Sequence, residues 1–442
     1  MKSARTVVAG LGASGLATAR YLAARDEDVL ILDSRAEPPG LEALRASSPE
    51  VRVHLESLEP RWLDGADRLV VSPGLAGDLP LIAAAKERGI EVIGELELFA
   101  RVAPAPVIAV TGSNGKSTVV TLAADILSAC GLDVLAGGNL GPPALDLLSE
   151  PAPDLYALEV SSFQLETTDS LRPRAAAVLN VSEDHIDRHG SFEAYAAVKS
   201  RLLEMAQTAV YNADDRAVRL MIRTHRDAVP FSVESTLDRG WSIAVMDGDR
   251  WLVRDGQKLM RADELSIGGR VGEANALAAL GLVEGFGFDA HAAVGVLRQF
   301  EGFPHRMQHV ARINEIDFIN DSKATNAGAA IAAVESAPGP VVLIAGGLNK
   351  GGDLGSFARS VADRLRTIVL IGDAADALEA AFAGSVPVVR ADSLESAVSQ
   401  AAAAAVPGDT VLLAPACASL DMFTDYQERG ERFRAAVSEL RI

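Results

Sequence analysis

A glycine-rich segment at residues 111–118, TGSNGKST, follows an apolar run and precedes a helical pattern. Its glycines let successive backbone N–H groups face phosphate oxygens at a helix N-terminus, while Lys116 supplies positive charge and Ser117 offers a hydroxyl to Mg²⁺. Val110 stands where the usual GxxxxGKS/T pattern has its first glycine. A glycine turn with an exposed lysine is the alternative, but the strand, loop and helix signals agree, and the segment predicts an ATP site.

A second glycine-rich segment, GLGASG at residues 10–15, also lies between a strand pattern and a helix pattern, and Asp33 ends the next apolar run. The glycines let the backbone approach a pyrophosphate at a helix N-terminus, and Asp33 is able to accept a hydrogen bond from a ribose hydroxyl. These features fit both NAD and a UDP-sugar. Glycines that serve only a tight turn and helix–strand packing are the alternative interpretation.

Two polar residues end apolar strand patterns further along: Glu159 in LEVSSFQLE and His185 in NVSEDHIDRHG. Ligands bind at the carboxyl edge of parallel sheets, so both are reasonable Mg²⁺ ligands beside a triphosphate, although a single Glu or His is more often a surface or core residue. Lys199, in the helical pattern SFEAYAAVKSRLLEMA, is by itself typical of a solvated lysine. Three residues flank His185 and are interpreted as supporting or solvated: Asp184, Asp187 and His189.

The alternation of strand and helix patterns that positions these residues predicts an α/β fold of three domains. Residues 1–95 are expected to form an N-terminal Rossmann-like domain. Residues 96–300 are expected to form a central, P-loop ATPase-like parallel sheet, with a small antiparallel insertion within 231–269. Gly302 and Pro304 mark the next boundary, and residues 301–442 predict a C-terminal Rossmann-like domain.

Composition narrows the class of protein. The 442 residues carry 41 Lys and Arg against 60 Asp and Glu, a net charge of −19 that disfavours nucleic acid as a partner. The sequence shows neither a membrane-spanning apolar run nor a signal peptide, which predicts a cytoplasmic protein. The two cysteines, Cys130 and Cys417, lie too far apart in the sequence for a CxxC-type zinc motif, so any metal is expected on oxygen or histidine ligands.

Several motifs occur in one order over most of the chain: TGSNGKST, EVSSFQLE, NVSEDHIDRHG, the HR of residues 305–306, NDSKATN and PACASLD. Together they resemble the Mur ligase family. The resemblance implies that the N-terminal domain binds the UDP of the substrate, the central domain ATP and the C-terminal domain an amino acid. The loop GSNGKST and the ending APACASLD favour the branch that adds D-glutamate to UDP-N-acetylmuramoyl-L-alanine, through an acyl phosphate, in peptidoglycan precursor synthesis.

The resemblance also implies roles for individual residues. The expected ATP contacts are Thr111, Gly112, Ser113, Asn114, Gly115, Lys116, Ser117, Thr118, Asn275, Arg306 and Asp321. The expected UDP-substrate contacts are Ser14, Gly15, Leu16, Asp33, Ser34, Arg35 and Asn139. The expected glutamate contacts are Lys323, Thr325, Lys350, Ser419 and Tyr426. Tyr426 stands where the family pattern has phenylalanine, and GLNKGG differs from the Gly-Asp-Gly-Lys form expected around Lys350.

By the same resemblance, two Mg²⁺ ions are expected. Ser117 and Glu159 would hold the first, and His185 with Lys199 the second, with Lys199 matching a carbamylated lysine of the family. Lys116, His185 and Lys199 are therefore the expected catalytic residues. The alternatives are another Mur-type or folylpolyglutamate-type amide ligase, an NAD-dependent oxidoreductase, or a nucleotide-binding switch without chemistry. A monomer is expected.

Overall fold

The computed structural model describes residues 5–139, 141–148, 150–222, 225 and 227–440, with the side chain of Asp187 left out. Its strands are β1 (Arg5–Ala9), β2 (Asp28–Leu32), β3 (Arg52–His54), β4 (Arg68–Val71), β5 (Glu91–Ile93), β6 (Val107–Thr111), β7 (Val134–Gly138), β8 (Leu155–Glu159), β9 (Ala175–Val178), β10 (Thr208–Asn212), β11 (Ala228–Ser232), β12 (Trp241–Met246), β13 (Asp249–Arg254), β14 (Gln257–Arg261), β15 (Gln308–Ile313), β16 (Ile316–Asn320), β17 (Val341–Gly346), β18 (Leu365–Ile371), β19 (Val388–Arg390) and β20 (Thr410–Leu413).

Its α-helices are α1 (Ala13–Ala23), α2 (Leu41–Ser47), α3 (Pro80–Glu87), α4 (Glu95–Val102), α5 (Lys116–Ala129), α6 (Ser162–Leu165), α7 (Ile186–His189), α8 (Phe192–Met205), α9 (Arg216–Met221), α10 (Gly269–Val283), α11 (Ala290–Gln299), α12 (Ala327–Ser336), α13 (Leu354–Val361), α14 (Ala375–Phe382), α15 (Leu394–Ala404) and α16 (Tyr426–Glu439). None of the helices in the described ranges has both the length and the apolar character needed to cross a membrane.

The first sheet is parallel, with the strand order β3-β2-β1-β4-β5 over the described residues. Its central strands are apolar runs whose residues are almost all buried, as expected when helices cover both faces of a parallel sheet. The strand order reverses between β1 and β4, so a crevice opens at the carboxyl ends of these two strands, where ligands bind in open α/β sheets. The GLGASG segment follows β1 at this crevice.

The second sheet has the order β14-β13-β12-β11-β10-β9-β6-β8-β7 in the described chain. Strands β6 to β12 pair in parallel, whereas β12, β13 and β14 form an antiparallel meander. The antiparallel strands expected within 231–269 are therefore present, and they extend the edge of the central sheet. Strand β6 lies between β8 and β9, which brings the ends of these three strands to one edge.

The third sheet has the order β15-β16-β20-β17-β18-β19 among the described strands, and all pairs are parallel except β15 with β16. Strands β16, β20 and β17 are neighbours. The loops that follow them contain NDSKATN, PACASLD and GGLNKGG, so the three segments meet at one carboxyl edge. Mostly parallel α/β sheets in three units agree with the fold class expected from the sequence.

The hydrophobic cores distinguish the third unit from the other two. One cluster of buried side chains joins the first and second sheets, with members such as Val8 and Leu22 beside Val107 and Tyr156. Two clusters of the third unit contain only residues from 307 onward. The first two sheets therefore share apolar packing, whereas the third unit has cores of its own.

Candidate active site

The phosphate loop begins where β6 ends and leads directly into α5. Gly112 and Gly115 have φ angles of 154° and 86°, in the region that favours glycine, and Gly115 is the N-cap of α5. A Cβ on Gly115 would lie 2.6 Å from Asn275 Oδ1, so α10 approaches the loop closely. Lys116 Nζ donates to the carbonyl oxygens of Gly112 and Ser113, at 3.0 Å each. Burial lowers the pKa of this ammonium group, which is held by backbone oxygens inside the loop.

Ser117 and Glu159 lie together at the first turn of α5 and the end of β8. Ser117 Oγ donates to Glu159 Oε2 at 2.6 Å, and Asn139 Nδ2 donates to Glu159 Oε1 at 2.6 Å. The structure thus joins the residue pair expected to hold the first Mg²⁺. It also brings Asn139, expected at the sugar phosphates, against this carboxylate. Arg306 of the third unit reaches across and donates to Ser117 Oγ at 2.8 Å.

A cleft opens between the central and third units beside this loop. Residues of the expected ATP set line it from both sides: Asn114, Gly115, Thr118, Asn275, Arg306 and Asp321. Burial raises the pKa of Asp321 to about 7, so its carboxyl group titrates near neutral pH. The wall also contains Val271, Phe303 and Ala333, which are apolar. An apolar wall with few polar groups is typical of a nucleotide pocket.

Lys199 is buried at 1% exposure, so the interpretation as a solvated lysine, based on the helix pattern alone, is wrong. Its Nζ donates to Gly112 O at 2.9 Å and to Thr111 Oγ1 at 3.5 Å, and lies 4.5 Å from the centre of the Tyr195 ring. The physical reason is that α8 packs against β9 and turns this side chain toward the phosphate loop. Burial, with the positive charge of Lys116, lowers the pKa of Lys199 well below its ordinary value.

His185 lies at the N-cap of α7 with φ of 53°. Its backbone N–H donates to Asp184 Oδ1 at 3.0 Å, and its ring meets that of Phe163 edge-on at 4.8 Å. Asp184 Oδ2 accepts from Asn326 Nδ2 of the third unit at 3.0 Å. Asp184 therefore contacts the His185 backbone and connects the central and third units.

Of the other two residues that flank His185, only His189 has a side chain within the described part of the structure. The side chain of His189 is 3% exposed, with Nε2 3.0 Å from Ser162 Oγ and Nδ1 3.4 Å from Glu166 Oε1. Burial lowers the pKa of His189, and the nearby Glu166 carboxylate only partly opposes this effect. The side chain of Asp187 lies outside the described residues.

Four of the five expected glutamate-facing residues occupy the three loops at the edge of the third sheet, and the fifth, Tyr426, is the first residue of α16. Thr325 and Lys350 line a small cleft together with His185 and Asp184. Lys323 Nζ lies 3.9 Å from the centre of the Tyr426 ring. Burial, together with the positive charges of Arg306 and Lys116, lowers the pKa of Lys323 to about 8.

Ser419, the remaining member of the glutamate-facing set, is buried at the turn after β20. The carbonyl oxygen of Ser419 accepts from the backbone N–H groups of Met422 and Phe423. Of the expected set, Thr325 and Lys350 therefore lie in the cleft beside His185, and Lys323 lies against Tyr426.

The crevice of the first sheet is lined by Ser14, Asp33, Ser34 and Arg35 together with the loop at 72–75. Gly15 and Leu16, also expected there, lie on the first turns of α1. A Cβ on Gly15 would collide with Gly10 O, and Leu16 packs against the core, so Gly15 serves close helix–strand packing. Two of the expected contacts thus shape the crevice from behind.

Asp33 is bound by the protein itself. Its oxygens accept from the Leu11 N–H at 2.7 Å and from Arg35 N, Nε and NH2 at 2.7–2.9 Å. Burial raises the pKa of Asp33, but these hydrogen bonds outweigh burial and lower the pKa to about 2. The carboxylate therefore stays ionised and orients Arg35 at the crevice.

Sequence reasoning missed three residues that organise the site. Asn180 exchanges hydrogen bonds with the backbone of Asn114 at 2.8 and 3.1 Å. The hydroxyl of Tyr195 lies 3.2 Å from Ser113 Oγ. Arg188 pairs with Glu166 and donates to the Leu75 carbonyl of the first unit. Tyr195 stands four positions before Lys199, a spacing that places both on one helix face and that was available as a signal.

The oxygen-bearing side chains of Ser117 and Glu159, beside the phosphate loop, suit Mg²⁺. Within the described ranges, no three His, Cys, Asp or Glu side chains converge as a metal site. Mg²⁺ commonly binds one or two protein oxygens and completes its shell with water and substrate phosphates. Glu159 and Ser117, joined at 2.6 Å beside the phosphate loop, fit that requirement.

Comparison with known proteins gives matches along the whole chain. Residues 4–94 match the N-terminal domain of Mur ligases of the MurD-like type, residues 110–283 the Mur ligase middle domain and residues 305–417 the Mur ligase glutamate ligase domain. The UDP-N-acetylmuramoylalanine–D-glutamate ligase of Nitrosococcus oceani is 45% identical over 440 residues, 99% of this chain and 97% of that protein. The protein of the same name from Methylococcus capsulatus is 47% identical over 436 residues, 99% of this chain and 95% of that protein.

Solved structures share the fold at low identity. A pseudomurein peptide ligase type C from Methanothermus fervidus aligns over 99% of this chain and 100% of its own, with a TM-score of 0.65 and 18% identity. The UDP-N-acetylmuramate-alanine ligase of Thermotoga maritima aligns over 99% and 100%, with a TM-score of 0.61 and 16% identity. All three domain models match, and relatives above 40% identity cover nearly the full length. The phosphate loop that faces a second unit agrees with these matches. The chain belongs to the Mur ligase family.

Proposed function

We propose that this chain joins D-glutamate to UDP-N-acetylmuramoyl-L-alanine, with ATP converted to ADP and phosphate, in peptidoglycan precursor synthesis. Mur ligases are ATP-dependent enzymes that form amide bonds, and relatives covering nearly the whole chain are named for this reaction. The single observation that carries the proposal is the cleft at the third sheet, where Thr325 and Lys350 lie beside His185. An acceptor pocket next to a phosphate-binding loop is what acyl activation followed by amine attack requires.

The first half-reaction activates the precursor's carboxylate. This carboxylate attacks the γ-phosphorus of ATP, a carboxyl oxygen–phosphorus bond forms, and the bond to the β-phosphate oxygen breaks to release ADP. Lys116, held inside the loop, balances the charge on the transferring oxygens, and Arg306 adds a second cation from the third unit. Asn275 and Asp321 hold the nucleotide on either side of the cleft.

The second half-reaction forms the amide. The neutral glutamate amine attacks the acyl carbon, the nitrogen loses a proton, and the tetrahedral intermediate breaks its carbon–oxygen bond to expel phosphate. Lys323 and Lys350 supply positive charge for the two carboxylates of glutamate, while Thr325, Ser419 and Tyr426 shape the pocket. At the other end of the precursor, Ser14, Asp33, Ser34 and Arg35 line the UDP crevice. Gly15 and Leu16 support it from α1, and Asn139 is assigned to the sugar phosphates.

Mur ligases use Mg²⁺, and we assign one ion to Ser117 and Glu159 and a second to His185 and Lys199. Bound Mg²⁺ would neutralise phosphate charge and orient the oxygens for in-line transfer. Lys199 is suited to carbamylation because its burial favours the neutral amine, the form that attacks CO₂. The neutral amine nitrogen forms a bond to the carbon of CO₂, one electron pair of a C=O bond moves to oxygen, and the loss of one proton from nitrogen leaves a carbamate anion.

The carbamylation is tested by intact-protein mass spectrometry under conditions that preserve labile groups. We expect an added mass of one CO₂ on the wild-type protein and none on Lys199→Met. Equal masses after correction for the substitution would refute the modification.

We assign UDP binding to residues 1–95, ATP binding to 96–300 and amino-acid binding to 301–442. Since the third unit has separate cores and touches the phosphate loop through Arg306, we propose that nucleotide and substrate close it onto the central unit. The protein would act as a monomer in the cytoplasm, where ATP is available. Small-angle scattering tests closure: the radius of gyration should fall with ligands, and identical curves would refute it.

The reaction itself is tested by phosphate release from ATP and Mg²⁺ in the presence of UDP-N-acetylmuramoyl-L-alanine. Parallel reactions contain D-glutamate, L-glutamate or no amino acid, and a further control omits the precursor. We expect release only when both the precursor and D-glutamate are present. Release with the precursor and L-glutamate but not with D-glutamate would show that L-glutamate is the substrate. Release that depends on neither the precursor nor the amino acid would refute the ligase proposal.

A further inference from the structure

A buried arginine lies behind the acceptor pocket. Arg429, on α16, has 0% exposure and is the largest fully buried side chain in the described part of the protein. Its guanidinium donates to Ser322 Oγ at 2.9 Å, to Ser322 O at 2.7 Å and to Cys417 O at 3.2 Å. These acceptors lie in the loops after β16 and β20, so one side chain joins a helix to two loops of the proposed glutamate pocket.

The contacts of Arg429 are directional rather than apolar. Moving a guanidinium out of water is costly unless hydrogen bonds replace its hydration, and burial lowers the pKa of Arg429 to about 10. The same helix already buries Phe433 and Val437 in the core of the third unit. Hydrophobic packing therefore holds α16 to the sheet. The hydrogen bonds of Arg429 additionally fix the position of the helix relative to Ser322 and Cys417.

The network reaches three glutamate-facing residues. Ser322 Oγ, which accepts from Arg429, donates to the Tyr426 carbonyl at 2.8 Å. Ser322 directly precedes Lys323, whose ammonium lies over the Tyr426 ring. Cys417 lies two residues before Ser419. Through Ser322 and Cys417, Arg429 thus contacts the backbone segments that carry Lys323, Tyr426 and Ser419.

The next residue on α16 fits the same arrangement. A Cβ on Gly430 would collide with the His305 ring, so the helix comes very close to the segment that carries Arg306. Asn320 Nδ2 donates to Gly430 O at 3.1 Å and lies 3.0 Å from His305 Nδ1. The first two turns of α16 therefore dock by polar contacts and close approach against the loops of the site.

We propose that Arg429 is a positioning residue for the acceptor amino acid. It sets Lys323, Ser419 and Tyr426 in one geometry and does not touch substrate itself. The inference rests on the proposed function. Because these residues serve the amine and not the phosphoryl transfer, loss of Arg429 should impair the second half-reaction more than the first.

The test compares Arg429→Met and Arg429→Lys with the control Arg432→Met. Arg432 lies three positions further along the same helix and pairs with Glu395 at the surface. The first half-reaction is measured as ADP formed in a single turnover with precursor and no glutamate. The second is measured as kcat and KM for D-glutamate. For Arg429→Met we expect KM for glutamate to rise at least about tenfold while ADP formation stays within about threefold, since small displacements in a site cost large rate factors. Arg429→Lys should recover part of the loss, and Arg432→Met should match wild type.

Ser322→Ala provides a milder variant that keeps the test decisive if Arg429→Met does not fold. It removes the shared hydroxyl and leaves the Ser322 carbonyl contact, so a smaller rise in KM for glutamate is expected. Equal losses in both half-reactions, or an unchanged KM for glutamate in folded Arg429→Met and Ser322→Ala, would overturn the inference. Wild-type protein that forms no ADP with the precursor would instead refute the proposed function.

Discussion

The two glycine-rich loops follow parallel strands and precede helices, yet their glycines do different work. At GLGASG, Gly15 lets α1 pack on Gly10, whereas Gly12 has open space where a Cβ would be. At TGSNGKST, Gly112 and Gly115 adopt positive φ angles and Lys116 folds onto the loop's own carbonyls. Glycines of such motifs thus serve different needs, close packing at one position and a left-handed backbone at another, and only the surroundings of each glycine distinguish them.

The loops also differ in how charge is arranged. In the first, Asp33 is satisfied by Leu11 and Arg35 of its own unit. In the second, Ser117 binds Glu159 on β8 and Arg306 from the third unit. The charged groups of the first loop are paired within one unit, whereas those of the second loop are contributed by two units. Substitutions in the second loop should therefore reduce turnover most.

The largest expected effect is at Lys116. Lys116→Met removes the positive charge of the phosphate loop, and we expect kcat for phosphate release to fall at least about 100-fold, the loss typical when one stabiliser of transition-state charge is removed. The matched control is Lys258→Met, which removes a surface lysine paired with Asp247. Turnover of Lys116→Met within about threefold of that control would contradict the role of this loop.

The next effect compares two glycines of the first loop. Gly15→Ala places a methyl group against Gly10 O, so we expect the free energy of unfolding to fall by about 1–3 kcal/mol. Gly12→Ala meets no atom within 4 Å, and its stability should stay within about 0.5 kcal/mol of wild type. Since the backbone at Gly12 lines the crevice, KM for the UDP precursor should rise instead. Urea unfolding and steady-state kinetics measure both effects, and equal destabilisation by the two substitutions would contradict the division of roles.

The smallest expected effect is the pH dependence of the free energy of unfolding that comes from Asp33 in the first unit. The pKa of Asp33 is lowered from 3.8 to about 2 in the folded protein, so its contribution to stability is present above about pH 4 and is lost as the pH falls toward 2. With Arg35 half exposed and screened by solvent, we expect about 1–2 kcal/mol from this group. Urea unfolding at pH 7 and pH 3 should show a smaller loss for Asp33→Asn than for wild type. Parallel losses would show that Asp33 does not titrate as described.

Much of the fold was available from local patterns. The apolar runs of β1, β6 and β20 and the turn residues after them predicted parallel sheets and the edges where ligands bind. The ATP loop was predicted for the same reason, because one continuous segment contains its strand, its glycines and its helix start. The pair of Ser117 and Glu159 was implied by the family resemblance, and the structure joins the two residues at the first turn of α5 and the end of β8.

Other features of the site depended on residues far apart in the chain. Lys199 looked solvated because helix periodicity does not tell which neighbour covers a lysine, and its partner Gly112 O is 87 positions away. Asn139 was expected at the sugar phosphates and lies against Glu159. Arg429 gave no signal, because an arginine within a charged helix pattern normally faces water.

The sequence by itself determined the three α/β units, the phosphate loop and the family, because local hydrophobic periodicity and ordered motifs require no knowledge of distant contacts. The tertiary structure decided which charged groups are buried and which units share the site. It buried Lys199 beside the phosphate loop, brought Arg306 to Ser117 and enclosed Arg429 between two loops. The physical reason is that burial and electrostatic pairing are set by packing between segments that lie far apart along the chain.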